Sequence, residues 1–245
     1  MSELFGEVAS DYDEARPGYP PDLVETIRAY HGGTPGALVE IGAGTGLATR
    51  ALLTLGAPMI CVEPDRRMAQ VLAAHFPDVD VVTAPFEEWT APPGGVPALA
   101  CALAWHWLDA ATRNRRAHDA LTPGGTLAVF AHRYDYVDPD HAAGLRAAFQ
   151  SADPEPHHDR PEDWFRADIA DSGLFTDVRS VRFQRAVPLD TAAYQRLVST
   201  FSPQLRRPPE LRERVLAAVG AAVDGFGGTV VLDLRTTLVL ARRPA

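Results

Sequence analysis

Ala37-Leu38-Val39-Glu40-Ile41-Gly42-Ala43-Gly44-Thr45-Gly46-Leu47-Ala48-Thr49 passes from an apolar, β-prone run carrying one acid into three alternating glycines, then into the helix-prone run Leu47 to Leu55. The order reads as strand, tight turn, helix. Glycine suits a place where the backbone turns sharply and its amides lie open to a ligand, because a Cβ blocks both. The turn therefore reads as a binding surface. A dinucleotide fingerprint, G-x-G-x-x-G, wants its third glycine one position beyond Gly46, where Leu47 stands. The spacing here is G-x-G-x-G, with Glu40 inside the preceding strand.

A second signal follows. Met59-Ile60-Cys61-Val62-Glu63 reads as a short buried strand ending in an acid, and Pro64 and Asp65 open another helix. An acid at the end of the second strand is placed to accept hydrogen bonds from both hydroxyls of a ribose, a device that dinucleotide enzymes share.

Glu40, the G-x-G-x-G turn and Glu63, taken with Leu121-Thr122-Pro123-Gly124-Gly125-Thr126-Leu127, resemble the class I S-adenosylmethionine-dependent methyltransferases. Tyr12-Asp13-Glu14-Ala15-Arg16-Pro17-Gly18-Tyr19-Pro20 and Trp105-His106-Trp107-Leu108-Asp109 resemble the small-molecule group that includes the trans-aconitate type (methyltransferase type 11). The resemblance covers nearly the whole chain in order and is more specific for cofactor than for substrate. It implies a Rossmann-like, doubly wound α/β sheet of seven strands, the last running antiparallel between the fifth and sixth, with a helical cap from late insertions. It implies S-adenosyl-L-methionine held by Tyr12 and Arg16, Glu40, Gly42, Ala43, Gly44 and Gly46, Glu63, Pro64, Met68, Pro85, Phe86, Ala104 and Trp105. One departure stands out: the Asp that usually reads the adenine amino group falls at Pro85, leaving that task to the backbone of Phe86 and to stacking.

Composition narrows the setting. At 245 residues and 46% apolar content, one substantial core is expected, with a cap and no second independent domain. No run approaches the roughly 20 apolar residues of a membrane span, and Met1-Ser2-Glu3-Leu4-Phe5 lacks the segments of a signal peptide, so a cytoplasmic protein is expected. A net charge of -9 argues against general attraction to nucleic acid or an anionic membrane. All 23 basic residues are Arg, which excludes lysine chemistry. Cys61 and Cys101 sit in apolar strand-like runs and read as buried side chains, with no disulfide and no metal site.

Within 1–245, residues 1–33 read as an N-terminal lid and helix and 34–132 as the cofactor-binding core. Residues 133–174 and 188–227 read as cap insertions, 175–187 and 228–243 as closing strands. The lid, Phe5 to Tyr19, is too irregular for a long helix, and the resemblance places Arg16 or Tyr12 near the methionine carboxylate. Asp22 to Tyr30 is helical. Met68, Val71, Leu72 and His75 share a helix face, and Val79 to Val82 forms a third strand. Pro97 to Ala104 is the fourth strand, with Asp109 capping the next helix, and Thr126 to Ala131 is the fifth. Asp140 to Phe149 and Pro161 to Ser172 look helical. The loop between them, with His157 and His158, reads as acidic and Pro-rich, without preorganised metal ligands. Asp177 to Pro188 alternates as a strand, Asp190 to Gly225 holds two helical patterns, and Gly228 to Arg242 closes the sheet.

Methyl transfer from a sulfonium is an in-line displacement, so alignment and exclusion of water matter most. A carboxylate nucleophile needs no base. A phenol, amine or acidic carbon calls on His106, His132, Tyr134 or Tyr136, and Arg133, Arg206 or Arg207 could clamp an acidic substrate. Trp105 or Trp107 could face the cationic cofactor. The leading reading is O-, N- or C-methylation of a small molecule, in specialised metabolism. Cyclisation or isomerisation with the same cofactor, non-catalytic nucleotide binding and NAD-dependent oxidoreduction stand as alternatives, because cofactor motifs do not report where the methyl goes. No motif fixes an oligomeric state.

Overall fold

Strand β1 (Leu38–Ile41) is buried at every position, as expected of a short apolar strand covered on both faces of a parallel sheet. It pairs in parallel with β2 (Met59–Val62) and β4 (Val96–Ala102), so Ile41 lies beside Val62 on one side and Cys101 on the other. That register brings the segments after β1, β2 and β4 out at one edge of the sheet. β3 (Asp80–Val82) extends the sheet beyond β2, and β5 (Leu121–Tyr136) beyond β4. With β6 (Thr176–Asp190) and β7 (Thr229–Arg242) the order is β3-β2-β1-β4-β5-β7-β6, with β7 antiparallel. The computed structural model describes residues 9–154 and 161–245. The outer end of the expected lid and the His157-His158 loop lie outside the described residues.

The helices are α1 (Ala9–Ala15), α2 (Pro21–His31), α3 (Leu47–Leu52), α4 (Arg66–His75), α5 (Arg113–Ala120), α6 (Pro139–Ala152), α7 (Trp164–Asp171), α8 (Thr191–Ser199), α9 (Ser202–Arg206) and α10 (Pro209–Gly225). None of the described helices is long and apolar enough to cross a membrane. The chain divides into two compact units: a core unit of residues 18–132, 161–183 and 236–245, and a second unit of the remaining residues. In the core unit, strand alternation feeds two clusters. Leu38, Cys61, Ala98, Ala100, Phe130, Leu238 and Leu240 pack with α2 and α3, while Val39, Ile41, Val62, Leu99, Val239 and Ala241 pack with Trp105, Phe165 and Ile169. The second unit has its own cluster, built by Leu145 of α6, Tyr194, Leu197 and Val198 of α8, Val215, Val219 and Val223 of α10, and Val230 and Leu232 of β7.

Several boundaries differ from expectation. β5 begins at Leu121, not Thr126, because Gly124 and Gly125 exchange backbone hydrogen bonds with Arg243. A distant strand recruits a glycine pair that locally reads as a turn. β4 stops at Ala102, and Leu103 takes a left-handed φ of 56°. α5 starts at Arg113, and Asp109 organises the turn before it, its carboxylate accepting from the Ala111 amide and the Thr112 hydroxyl. α4 turns Met68, Ala69 and Leu72 inward and leaves His75 exposed. The second insertion holds three helices where two patterns were expected.

Candidate active site

The turn after β1 is held from below by β2. The Gly42 amide donates to the Val62 carbonyl at 2.8 Å, Gly46 donates to Ala43 at 3.0 Å, and all three glycines have positive φ. Their crowding differs. A Cβ on Gly42 would stand 2.4 Å from the Ala104 Cβ, and one on Gly46 would stand 2.5 Å from the Phe76 ring. A Cβ on Gly44 would meet only the end of Met68, at 3.7 Å. Gly42 and Gly46 are thus required by the protein's own packing, and Gly44 is the glycine with room beside it.

Two buried carboxylates flank this turn. Glu63 Oε2 accepts the Gly44 amide at 2.8 Å and Oε1 accepts the Asp65 amide at 2.9 Å, so the acid ties the turn after β1 to the start of α4. Asp65 then caps α4, its Oδ1 accepting from Arg67 at 2.8 Å and Met68 at 3.4 Å. Glu40 is wholly buried; its Oε2 accepts from the Thr49 hydroxyl at 2.6 Å, while Oε1 has no partner among the described residues. Asp65 Oδ2 is similarly unpartnered. Burial pushes Glu40 up to about 8, against the Thr49 hydrogen bond and with a further contribution from the Glu63 charge. Burial also raises Glu63, opposed by the Asp65 and Gly44 amides. Two adjacent buried acids whose charged forms are both penalised make a site that gains from a cationic ligand.

The turn after β4 completes this edge. Leu103 donates to the Phe130 carbonyl at 2.9 Å in its left-handed conformation, and Ala104 abuts Gly42. Backbone strain in a non-glycine residue persists only where the surroundings over-determine it, and such residues gather at functional sites. His106 is exposed, its ring 4.7 Å from Trp107. Trp105 is buried, its indole N–H donating to Asp168 at 2.9 Å while the Arg113 guanidinium, paired with the same carboxylate, lies 5.8 Å from the ring. Its indole is therefore tied into the core, and Trp107 is the less buried of the two. Phe86 is also buried, its carbonyl accepting two N–H groups of Arg116, and the Pro85 carbonyl accepts from Glu88 and Trp89. Those two carbonyls already serve the protein's own donors.

Glu40, the glycine turn with Ala43, Glu63, Pro64, Met68 and Ala104 thus occupy one neighbourhood of the core unit. His132 belongs to this unit as well; its ring stacks on Tyr19 at 4.3 Å and Nδ1 lies 2.8 Å from the Thr236 hydroxyl. Tyr12, Arg16 and Tyr134 fall in the second unit and form a group of their own. Arg16 donates to the Thr200 hydroxyl at 3.1 Å and carbonyl at 2.9 Å, with its guanidinium over Tyr12 at 4.4 Å and Phe201 at 5.3 Å. The Tyr134 ring is 5.1 Å from Phe201, and burial pushes its phenol up to about 12, with Arg16 opposing. Sequence reasoning did not assign Leu103 or Asp65 to the site. Asp65 was legible as a helix opener, but the φ of Leu103 has no sequence signature.

A glycine turn with acids at the ends of β1 and β2, in a seven-stranded sheet whose last strand is antiparallel, matches the Rossmann-like fold of methyltransferases. Residues 39–129 match the methyltransferase domain family. An uncharacterized methyltransferase of Mycobacterium tuberculosis is 33% identical over 132 residues, 53% of this chain and 52% of its own length, so the chain spans about half the length of that relative. One from Schizosaccharomyces pombe is 26% identical over 226 residues, covering 89% of this chain and 86% of its own. Among solved structures, a proposed type II methyltransferase from Anaeromyxobacter dehalogenans shares the fold at 19% identity and a TM-score of 0.70, covering 94% of this chain and 99% of that one. The chain is thus similar to methyltransferases over its cofactor-binding core and shares the fold of the class I S-adenosylmethionine-dependent methyltransferases.

Proposed function

We propose that the core unit binds S-adenosylmethionine across the turn after β1, and that the chain transfers the methyl group to a small-molecule acceptor recognised by residues of the second unit. The observation that carries this reading is the pair of buried carboxylates, one with an unpartnered oxygen, beside a glycine turn with room at Gly44. A cationic cofactor relieves the cost of ionising both acids, whereas a pyrophosphate would meet them as like charges. Bound here, the cofactor supplies an electrophilic methyl group on sulfur. Glu63, fixed by two backbone amides, is assigned to the ribose hydroxyls, and Glu40 to the amino-acid end.

Proton handling falls to His106, which is exposed on the turn after β4. His132 is already engaged by Tyr19 and Thr236, and a phenol at about 12 keeps its proton near neutral pH, which suits Tyr134 to donating a hydrogen bond. The test is calorimetry on Glu63→Ala. S-adenosylmethionine binding should weaken by about 1.5–3 kcal/mol, the range for hydrogen bonds to a charged group. Unchanged affinity rejects the assignment, and a product without an added methyl rejects methyl transfer.

A further inference from the structure

In the second unit, α9 carries a polar group that the rest of that unit does not use. Gln204 is 1% exposed, and both its amide nitrogen and its amide oxygen lack a hydrogen-bond partner among the described residues. Burying both ends of an amide unpaired opposes folding, so an apolar side chain would be the better choice if packing alone decided this position. The helix is nevertheless fixed on both sides. Before it, Arg16 holds Thr200 through the hydroxyl and the carbonyl. After it, Arg207 donates to Asp153 at 2.6 Å, and its own amide closes on the Gln204 carbonyl at 3.1 Å. Phe201 is the N-cap of α9, three residues before Gln204, and its carbonyl accepts from Leu205 at 3.1 Å. Phe201 in turn stands against Tyr134, with Arg16 and Tyr12 beside it.

We propose that Gln204 is the reader of the acceptor: its amide binds a neutral, planar group that presents a hydrogen-bond donor and an acceptor on neighbouring atoms, a carboxamide or lactam, against the aromatic side chains of this unit. A primary amide offers the matching pair, so both orphaned atoms are satisfied together. A positioned buried amide rejects ligands lacking either half, because its own group is then left unpaired. The inference rests on acceptor recognition by the second unit and adds its chemical class.

The experiment uses the full chain with three isosteric probes, benzamide, acetophenone and benzamidine, titrated by calorimetry or followed by ligand-observed NMR. The native chain should bind benzamide at least tenfold more tightly than acetophenone, which lacks the donor. Gln204→Met should lose that preference, keep its S-adenosylmethionine affinity and melt at a higher temperature. Gln204→Glu, which replaces the donor with a second acceptor, should move the preference to benzamidine. Absence of benzamide binding to the native chain, or an unchanged preference in Gln204→Met and Gln204→Glu, overturns the proposal. A lower melting temperature for Gln204→Met overturns it by showing that the amide serves folding. Failure of the native chain to bind S-adenosylmethionine in the same titrations is a separate result, which counts against the cofactor assignment alone.

Discussion

The turn after β1 and the stretch from Thr200 to Arg207 both hold polar groups away from water, and they do so by opposite means. Around the turn, Glu63 receives backbone amides from Gly44 and Asp65, and Asp65 caps the helix directly after it. The partners are mostly local or lie on adjacent strands. Around Gln204, the pinning contacts join side chains far apart in the chain, Arg16 to Thr200 and Arg207 to Asp153. Backbone amides are present whatever the sequence, so the first arrangement needs only glycines and acids at fixed spacing. The second needs particular side chains to meet by folding.

The sharpest way to break this contrast is Arg207→Ala. Arg207 and Asp153 are 7% and 10% exposed at their side chains, and removing one partner of a buried pair leaves an uncompensated charge, a loss of about 3–5 kcal/mol. Denaturant unfolding should show that loss, and hydrogen exchange should report it first in α9 and α6. Equal loss of protection in β1 and β2 would erase the distinction between the regions.

Gly42→Ala tests the other side. The added methyl would sit 2.4 Å from the Ala104 Cβ at a φ of 66°, so crowding and a left-handed backbone together should cost about 3 kcal/mol. Ala104→Gly in the same chain should recover part of this and leave the backbone share. No recovery would mean that the contact with Ala104 is not what excludes a side chain there.

His106→Ala should leave S-adenosylmethionine affinity nearly intact and lower turnover on the order of a hundredfold, about 2.7 kcal/mol in activation free energy, for an acceptor that must lose a proton. Its pH profile should lose one limb. Normal turnover with an unchanged profile removes His106 from proton transfer, and a carboxylate acceptor would show little loss because its nucleophile is already ionised.

A pH dependence gives a further test. Burial raises Glu40 from 4.5 to about 8, so between those values the native state binds more protons than the unfolded chain. Stability is then fullest at the acid end of that window and falls as pH rises through it. Glu63, raised in the same direction, adds to the trend. Melting curves should show native and Glu40→Gln diverging progressively as pH rises through this window. Parallel curves would place Glu40 in a more polar setting than its burial indicates.

The sequence by itself determined the turn, the two acids, the strand count and the antiparallel seventh strand, because each rests on short-range spacing or on a family pattern carried by short motifs. Glu40, Gly42, Gly44, Gly46 and Glu63 were legible for that reason. Tertiary structure alone decided that Gly42 answers to Ala104 and Gly46 to Phe76, that the Trp105 indole is taken by Asp168, and that Leu103 is strained. It also decided that β5 reaches back to Leu121 through Arg243 and that Gln204 is buried without a partner. Each of these depends on which distant residue folding brings alongside, and a polar side chain such as Gln204 looks the same in a sequence whether it ends in water or in the interior.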